Sequence, residues 1–467
     1  MPYRIEKDSL GEVQVPADKL WGAQTQRACQ NFCIGEERMP TPIIHAIATV
    51  KNAAAQANCE CGTLPPDKAE LISRCCELIL QGKLDNHFPL HVWQTGSGTQ
   101  TNMNVNEVVS NWAEIEKHGR IDGFVRYVHP NDDVNKSQST NDVFPSALRI
   151  AAALQVDQHL LPALRELMST LNLKSKEFAD IIKIGRTHLM DATPITLGQE
   201  FSGYADQIRH DIESIEMALK HAMELPIGGT AVGTGLNTPK GYTEAVIRHI
   251  NALTKLTFTP SDNRFEAMAS HDSLSELSAS FRRCAISLMK IANDFRLLGS
   301  GPRCGIGELQ LPTNEPGSSI MPGKVNPTQC EALTMVCAQV IGNDTAITIG
   351  AMQGHLELNV FMPLIGRNIM ESIVLLTDAV NSFNAHCVSG VQPCKEMIQK
   401  NLDHSLMLVT ALNPHIGYAK AAEIAQHAHR EHTTLKGAAV TLGYVSEADF
   451  DAWVSPEKMV GQNNISK

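Results

Sequence analysis

The chain has 467 residues, of which 43% are hydrophobic and 19% charged, so it is long enough for two or three folded domains with ample apolar core. Its formal net charge of −11 leaves no excess of lysine and arginine to displace the counterions of a nucleic acid or of an anionic membrane, and we expect neither partner. No run of about 20 apolar residues stands out as a membrane span.

The first twenty residues alternate charged and apolar side chains. They contain neither the apolar core of a signal peptide nor an arginine-rich amphipathic stretch. The twelve cysteines are spread thinly and form no Cys-x-x-Cys pair, which favours reduced thiols over disulfides or an iron–sulfur cluster. We therefore expect a cytoplasmic protein.

Two helices are predicted in the first part of the chain. One begins at Thr41 and ends at Gly62, and the other begins near Asp67 and stops at Gly82. Polar segments follow them. We expect a mixed, mostly helical domain over residues 1–138.

The middle of the chain carries the strongest helical pattern. Apolar side chains spaced three and four residues apart run from Leu274 to Leu298, which predicts a helix about 37 Å long with one apolar face. Similar stripes occupy residues 150–171, 197–219 and 369–383. Short loops cannot cover rods of this length, so we expect a helix bundle over residues 139–394 that other copies of the chain help to cover.

A helix break is predicted at Ser389-Gly390. The last part of the chain, residues 395–467, follows this break and is predicted to form short helices, one of them capped by Ser446. The predicted fold class is therefore mainly α, with a long-helix bundle flanked by two smaller domains. Three histidines lie in the polar tract QHAHREH without cysteine or paired carboxylate beside them, which favours a solvated helix face over a metal site. They are His427, His429 and His432.

Four stretches interrupt the helical pattern and are rich in small polar residues. Their hydroxyls and amides, with the free N–H groups of helix starts, can bind carboxylates or phosphates, although the same residue types also form caps and turns. The four are TGSGTQTNMN (Thr95–Asn104), HPNDDVNKSQSTND (His129–Asp142), GRTHLMDATP (Gly185–Pro194) and PTNEPGSSIMPGKVNP (Pro312–Pro327).

Nucleotide and hydrolase motifs do not account for these stretches. Between Gly317 and Val325 the sequence has one residue too many for a P-loop, and a valine stands where serine or threonine would bind magnesium. Gly96 and Gly98 lack a preceding strand and the third glycine of a dinucleotide-binding turn, and no G-x-S-x-G elbow occurs. Because Pro312–Pro327 is long and without predicted structure, we expect a binding loop or lid there.

The segment GSSIMPGKVNP (Gly317–Pro327) resembles the signature of the fumarase/aspartase superfamily. All four segments, in their order and rough spacing, resemble those of class II, iron-independent fumarate hydratases along the full chain. This resemblance implies reversible hydration of fumarate to L-malate without metal or cofactor. It also implies a homotetramer in which four bundles merge into a 20-helix core and each active site takes segments from three chains.

The reaction requires a base for the C3 proton of malate and donors for the charge that spreads into the adjacent carboxylate as an aci-carboxylate. By the resemblance, Ser318 is the base, activated by backbone N–H groups around Gly317 with Lys324 nearby. Lys324 and Asn326 would hold the carboxylate that takes up charge.

The resemblance implies that His188 is the acid, acting through a water on the leaving hydroxyl, and that Glu331 orients its imidazole. His188 also separates hydratases from aspartases, which usually carry glutamine there because ammonia leaves more readily than hydroxide. Aspartate ammonia-lyase is thus the alternative within the superfamily. A non-catalytic helical scaffold is the other alternative, against which the intact chemistry of Ser318, His188, Lys324 and Asn326 argues.

Further polar residues are implied as ligands of the substrate carboxylates. Thr140 stands where many fumarases have serine, which keeps the hydroxyl and adds a methyl group. A second anion site is also implied, although its His129 can serve as a helix cap. The substrate ligands are Ser97, Gly98, Thr99, Ser139, Thr140, Asn141, Thr187, Ser319, Lys324, Val325 and Asn326, and the second site comprises Arg126, His129, Pro130, Asn131 and Asp132.

Overall fold

A computed structural model describes residues 2–121 and 124–461. Within these residues the fold is mainly α, as the sequence predicts, with eighteen α-helices. They are α1 (Ala23–Asn31), α2 (Thr41–Glu60), α3 (Pro66–Leu80), α4 (Thr99–His118), α5 (Thr140–Gln155), α6 (Leu161–Glu177), α7 (Leu197–Ala222), α8 (Tyr242–Thr254), α9 (Arg264–Ala269), α10 (Asp272–Leu298), α11 (Thr328–Ala351), α12 (Met362–Phe383), α13 (Lys395–His404), α14 (Asn413–Ile416), α15 (Tyr418–Arg430), α16 (Leu435–Thr441), α17 (Glu447–Trp453) and α18 (Pro456–Met459).

Strands in the described residues are short and pair in twos. All the pairs are antiparallel except β5–β6, which is parallel. The strands are β1 (Tyr3–Asp8), β2 (Gly11–Pro16), β3 (Ile182–Thr187), β4 (Met190–Thr196), β5 (Glu224–Leu225), β6 (Thr259–Pro260), β7 (Leu309–Gln310), β8 (Gly354–His355), β9 (Leu358–Asn359) and β10 (Gln392–Pro393), with partners β1–β2, β3–β4, β5–β6, β7–β10 and β8–β9.

The chain divides into two compact units, and neither is a continuous segment. The first consists of Met1–Pro162, Glu213–Ala285 and Cys337–Thr377, and the second of Ala163–Ile212, Ile286–Val336 and Asp378–Lys467. The division into domains 1–138, 139–394 and 395–467 stays a prediction.

Helix α2 lies at the centre of the first unit, where it packs against α3, α5 and α8. Its alanines Ala53, Ala54 and Ala57 are fully buried, and their small side chains let the neighbouring helices approach closely. One charged residue of this helix, Lys51, is also fully buried. The first unit thus places a lysine inside an otherwise mostly apolar helix packing.

Five aromatic rings from helices α7, α10 and α12 and from the residue after α6 form the core of the second unit. The ring centroid of Phe201 lies 5.2 Å from that of Phe178 and 5.3 Å from that of Phe295. The centroids of Phe295 and Phe383 are 5.5 Å apart. Tyr204 completes the cluster and donates its hydroxyl to Asp294 over 3.0 Å. Tilted and edge-to-face pairs of this kind stabilise a core beyond the area that they bury.

The short helices near the C-terminus have an apolar cluster of their own, formed around Leu412, Ile424 and Ala438. The predicted cap at Ser446 is confirmed, because its hydroxyl accepts the backbone N–H of Asp449 over 3.1 Å at the start of α17.

The apolar stripes in the middle of the chain mark real helices. All eight positions of the stripe from Leu274 to Leu298 are buried in α10, and those over 197–219 and 369–383 are buried in α7 and α12. The stripe over 150–171 was predicted wrongly as one helix face. A π-helical turn at Val156–Leu160 separates α5 from α6 and shifts the buried face, so that Leu167 is buried instead of Met168.

Helix α11 differs from our expectation that no membrane-length apolar segment is present. It has 24 residues and a mean hydropathy of 1.2, enough by length and composition to cross a membrane, although core helices meet the same criterion. Only 33% of its most apolar window is buried within the chain. Most of this apolar helix is therefore left uncovered by the described residues of its own chain.

Candidate active site

Ser318 lies in the loop between β7 and α11. Its hydroxyl oxygen accepts hydrogen bonds from the backbone N–H groups of Ile320 (3.3 Å) and Met321 (3.0 Å). Donors to an oxygen favour its ionised form. The donors come from residues that follow the serine, rather than from Gly317 before it, and they stabilise negative charge on Ser318.

The base of this loop is closed by close backbone contact. A Cβ atom at Gly317 would lie 1.9 Å from the carbonyl oxygen of Lys324, so only glycine fits there. The side-chain amide of Asn326 donates to the carbonyl oxygen of Gly317. Thr328 donates its hydroxyl to Glu315 over 2.9 Å. The loop therefore projects from a fixed base, with Ser318 just beyond it.

The other implied residues of this segment are mostly exposed. Ser319, Lys324, Val325 and Glu331 face solvent, whereas Asn326 is half-buried. In the described part of the chain, the side chains of Lys324 and Glu331 form no hydrogen bond or ion pair. Both charges are available to a ligand or to another chain.

His188 lies at the tip of the β3–β4 hairpin. It forms a two-residue turn with Leu189, and both have positive φ, 57° and 61°. Thr187 and Met190 pair directly below the turn. This turn type is usual for hairpins, but it favours glycine or asparagine, and a larger side chain costs about 1–2 kcal/mol. Such strain at an exposed histidine is typical of a functional position.

A β-bulge at Gly185 determines which way the hairpin's charged side chains point. The register shifts between Ile184 and Arg186, and a Cβ at Gly185 would lie 2.7 Å from the carbonyl oxygen of Thr193. Residues three apart normally lie on opposite strand faces, but one extra residue brings them to the same face. Lys183 and Arg186 therefore both reach one buried carboxylate.

That carboxylate is Glu308, which is fully buried. It lies 2.7 Å from the Arg186 guanidinium and 3.2 Å from the Lys183 ammonium, and Asn401 donates to it over 3.0 Å. Burial raises the pKa of Glu308, but the hydrogen bond from Arg186 and the two positive charges outweigh burial and hold it below its usual range. This cluster fixes the strand that leads to His188.

In the first unit, the start of α4 carries three implied ligands. Gly98 caps the helix with a left-handed φ of 75°, and a Cβ there would lie 2.4 Å from the Phe144 ring. The hydroxyls of Ser97 and Thr99 lie 2.8 Å apart. The first N–H groups of a helix have no partner within it, so they can bind an anion together with these hydroxyls.

The start of α5 carries three more implied ligands, Ser139, Thr140 and Asn141. Ser139 caps it, accepting the N–H of Asn141 over 3.2 Å, while its own N–H donates to Asp142 over 2.9 Å. The Thr140 hydroxyl accepts the side-chain amide of Asn102, on α4, over 2.9 Å. The starts of α4 and α5, with the hydroxyls predicted as ligands, are therefore held together.

Two buried charged residues that the sequence did not indicate are Asp142, in the first turn of α5, and Lys51 on α2. Asp142 accepts the N–H groups of Gly228 and Thr230, both over 2.9 Å, and burial raises its pKa to about 6 despite these donors. Lys51 donates to side-chain oxygens of Asn135 and Gln138, and burial lowers its pKa to about 7. The only signal for Lys51 is its place in the alanine-rich stretch ATVKNAAAQAN.

The implied second anion site lies near other charged groups. Arg126 binds both carboxylate oxygens of Glu6 at 2.8 Å and donates to Asn111 over 2.6 Å. The His129 ring accepts the N–H of Asp132 over 3.1 Å and so caps the turn Pro130–Val134. An anion would have to compete with Glu6 for Arg126, and the site stays a prediction.

The residues implied for catalysis and substrate binding thus form three groups. One lies at the starts of α4 and α5, one on the hairpin with Thr187 and His188, and one on the loop and first turn of α11. In the described residues no hydrogen bond joins His188 to Ser318 or Glu331.

Known proteins match nearly the full length of the chain. Residues 11–342 match the family described as Lyase, and residues 408–461 match the one described as Fumarase C C-terminus. The chain is 57% identical over 462 residues to a class II fumarate hydratase of Ralstonia nicotianae, covering 99% of this chain and 100% of the relative. It is also 57% identical to that of Yersinia pestis over 458 residues, 98% of each.

A solved structure agrees. The crystal structure of recombinant class II fumarase from Schistosoma mansoni matches with a TM-score of 0.97 at 44% identity, over 99% of this chain and 100% of that one. The chain therefore belongs to the class II fumarate hydratases of the fumarase/aspartase superfamily.

Proposed function

We propose that the chain adds water reversibly to fumarate to give L-malate, with Ser318 as base and His188 as acid. The observation that carries the base assignment is the pair of backbone donors to the Ser318 oxygen. In the direction of dehydration, Ser318 takes the C3 proton of malate. The C2–O bond then breaks, and a proton delivered from His188 through a water turns the leaving hydroxyl into water.

Ser318 needs help to act as a base, because a serine hydroxyl ionises poorly at neutral pH. Two N–H donors stabilise its oxyanion, and the Lys324 ammonium at the base of the same loop adds positive charge. Lys324 and Asn326 also suit the carboxylate that takes up charge from C3, since an ammonium and an amide N–H donate to carboxylate oxygens.

His188 suits the acid because imidazole exchanges protons near neutral pH. The strained turn presents its ring to solvent, and the buried Glu308 cluster holds the strand beneath it. Glu331 is the proposed carboxylate that orients the ring.

The second carboxylate of the substrate would bind where α4 and α5 begin. Both helix starts carry partial positive charge and hydroxyl or amide side chains, notably Thr99, Thr140 and Asn141. Thr187 and Ser319 would bind beside the acid and the base.

We further propose a cytoplasmic homotetramer with sites shared between three chains. The support is α11, which is apolar yet two-thirds uncovered, since helices that are apolar all round are normally buried. Other copies of α11 would cover it in a common helix core, and they would bring the three residue groups together.

The test is an absorbance assay of purified protein with fumarate, malate and aspartate, after treatment with a chelator. Fumarate and malate should turn over, and Ser318→Ala should lose most turnover while binding dicarboxylate within a few-fold of wild type. Ser389→Ala, an exposed serine outside the site, is the matched control. Release of ammonia from aspartate would favour the ammonia-lyase, and activity lost with chelator and restored by iron would contradict the metal-free chemistry.

A further inference from the structure

Lys51 is a buried cation in the first unit. Its side chain is fully enclosed, and its ammonium donates to the Asn135 amide oxygen at 2.8 Å and to the Gln138 amide oxygen at 3.0 Å. In the part of the chain that the structure describes, it forms no ion pair with a carboxylate. Lysine is rarely buried without a charged partner because desolvating its charge is costly. The buried ammonium of Lys51 therefore points to a role other than packing.

A chain of hydrogen bonds leads from Lys51 to the start of α5. The Asn135 oxygen that accepts from Lys51 also accepts the side-chain amide of Asn102 over 3.3 Å. The same Asn102 amide donates to the Thr140 hydroxyl over 2.9 Å. Two side chains, Asn135 and Asn102, thus connect Lys51 to Thr140, a proposed carboxylate ligand.

Lys51 also holds the turn that precedes α5. Gln138, its second acceptor, comes directly before the cap Ser139 and donates to the carbonyl oxygens of Val134 and Lys136. Within this turn Ser137 has a positive φ of 60°, a conformation that persists only where neighbours enforce it.

We propose that Lys51 is a positioning residue for the dicarboxylate: through Asn135 and Gln138 its buried ammonium sets the Thr140 hydroxyl and the start of α5 for carboxylate binding, and its positive charge is partly balanced by the bound dianion. This inference rests on the proposed function, in that it takes Thr140 as a substrate ligand. Lys51 itself is not placed in contact with the substrate.

The charge on Lys51 gives the proposal a second observable. The titratable groups that interact with it are Asp142 on α5 and Cys76 on α3. Burial raises the pKa of the Cys76 thiol to about 12, so it stays neutral, and that of Asp142 to about 6. Raising the pH from 6 to 8.5 therefore removes positive charge from Lys51 and completes the ionisation of Asp142. Both changes weaken dianion binding. Lys51→Met abolishes the first and, because the Lys51 charge lowers the pKa of Asp142, only shifts the second.

The experiment compares Lys51→Met, which removes charge and donors, with Lys51→Gln, which keeps an amide donor. The matched control is Lys174→Met, since Lys174 is also nearly buried but donates to Glu177 and the Val391 carbonyl, neither of which is a proposed ligand. We would measure kcat and KM for fumarate, and calorimetric binding of succinate, a dicarboxylate that does not react. Lys51→Met should raise KM and the succinate Kd by roughly 10- to 100-fold, the worth of hydrogen bonds to a charged group, with little change in kcat.

Lys51→Gln should fall between wild type and Lys51→Met. Between pH 6 and 8.5 the succinate affinity of Lys51→Met should change less than that of wild type. The proposal would be overturned if Lys51→Met kept the KM and succinate Kd of wild type. It would also be overturned if Lys174→Met raised KM and Kd as much as Lys51→Met does. If Lys51→Met does not fold, Gln138→Leu removes one acceptor and must raise KM in its place. Absence of fumarate turnover by wild type would contradict the proposed function instead, and succinate binding would still test Lys51.

Discussion

His188 and Leu189 occupy the same strained turn, so they can be compared at the scale of single residues. Asparagine tolerates a left-handed backbone, and His188→Asn therefore removes the imidazole while keeping the turn. We expect kcat to fall about 10²- to 10⁴-fold, the usual contribution of a positioned acid, with KM near wild type. Steady-state kinetics with malate and fumarate would measure this.

Leu189→Asn is the control for that experiment, because it makes the same change one residue away on an exposed side chain. It should keep kcat within a few-fold of wild type. Near-normal kcat in His188→Asn would remove the acid assignment.

Among single residues, the sequence indicated the candidate functional residues of the loop and the hairpin, but not the buried charged residues. The roles proposed for Ser318, His188 and Lys324 follow from motif resemblance. Lys51 and Glu308 were not indicated, because burial arises from packing between distant segments and a lone lysine or glutamate in a sequence is usually solvated.

Among the elements, the β3–β4 hairpin was not predicted although its residues had been singled out. Its strands have six and seven residues, and the bulge at Gly185 breaks the alternation by which strands are recognised. The helices α2, α3 and α10 were predicted nearly to the residue, since proline and glycine mark the ends of α2 and α3 and since apolar spacing persists along α10.

The hairpin's stability should depend on Glu308. Glu308→Gln leaves Arg186 without its partner carboxylate and Lys183 with Glu200 alone, at 3.0 Å. We expect it to lower the free energy of unfolding by about 3–5 kcal/mol and to reduce kcat. Because the folded-state pKa of Glu308 is lowered, its stabilisation is present above its unfolded pKa, near 4.5, and is lost as the pH falls below that. Denaturant titrations of wild type and variant across this pH range would measure the loss of unfolding free energy and its pH dependence, and steady-state kinetics would measure kcat.

Glu107→Gln is the matched control, a buried carboxylate in the first unit that accepts from backbone N–H groups of Gly22 and Thr25. It should also destabilise the protein but leave kcat unchanged. Equal losses of kcat in both variants would show a general effect of instability rather than a hairpin effect.

The loop before α11 should move only in part. Gly317, Asn326 and Thr328 fix its base, so we expect the tip, residues 318–323, to exchange amide hydrogens quickly when empty and slowly with bound dicarboxylate. Hydrogen exchange with and without succinate is the measurement, and residues of α10 serve as the internal reference. Slow exchange of the tip in both states would mean a rigid loop and no lid.

For the whole molecule, α11 predicts assembly. We expect wild type to sediment as four chains of 50.9 kDa. Met335, exposed on α11, should lie in the shared core, so Met335→Glu should give smaller assemblies with low activity. Leu253→Glu on α8 is the control and should keep the wild-type mass. A wild-type mass of one chain would contradict the shared site.

The helices of the bundle were predictable because the spacing of apolar residues by three and four positions lies within each single helix. The sequence also led us to expect other copies of the chain around the bundle, but not which face of α11 they would cover, since that helix is apolar all round.

The two buried groups Lys51 and Asp142 couple folding to proton exchange with the solvent. The unfolded pKa of aspartate is 3.8 and that of lysine 10.5, against about 6 and about 7 for these residues when folded. Unfolding should thus release a proton from Asp142 at pH 5 and take one up on Lys51 at pH 8, and the pair should destabilise the fold most between about pH 6 and 7. The buffer dependence of the unfolding enthalpy counts these protons. A variant carrying Lys51→Met and Asp142→Asn should lose both, and an unchanged count would mean that neither group titrates as its burial requires.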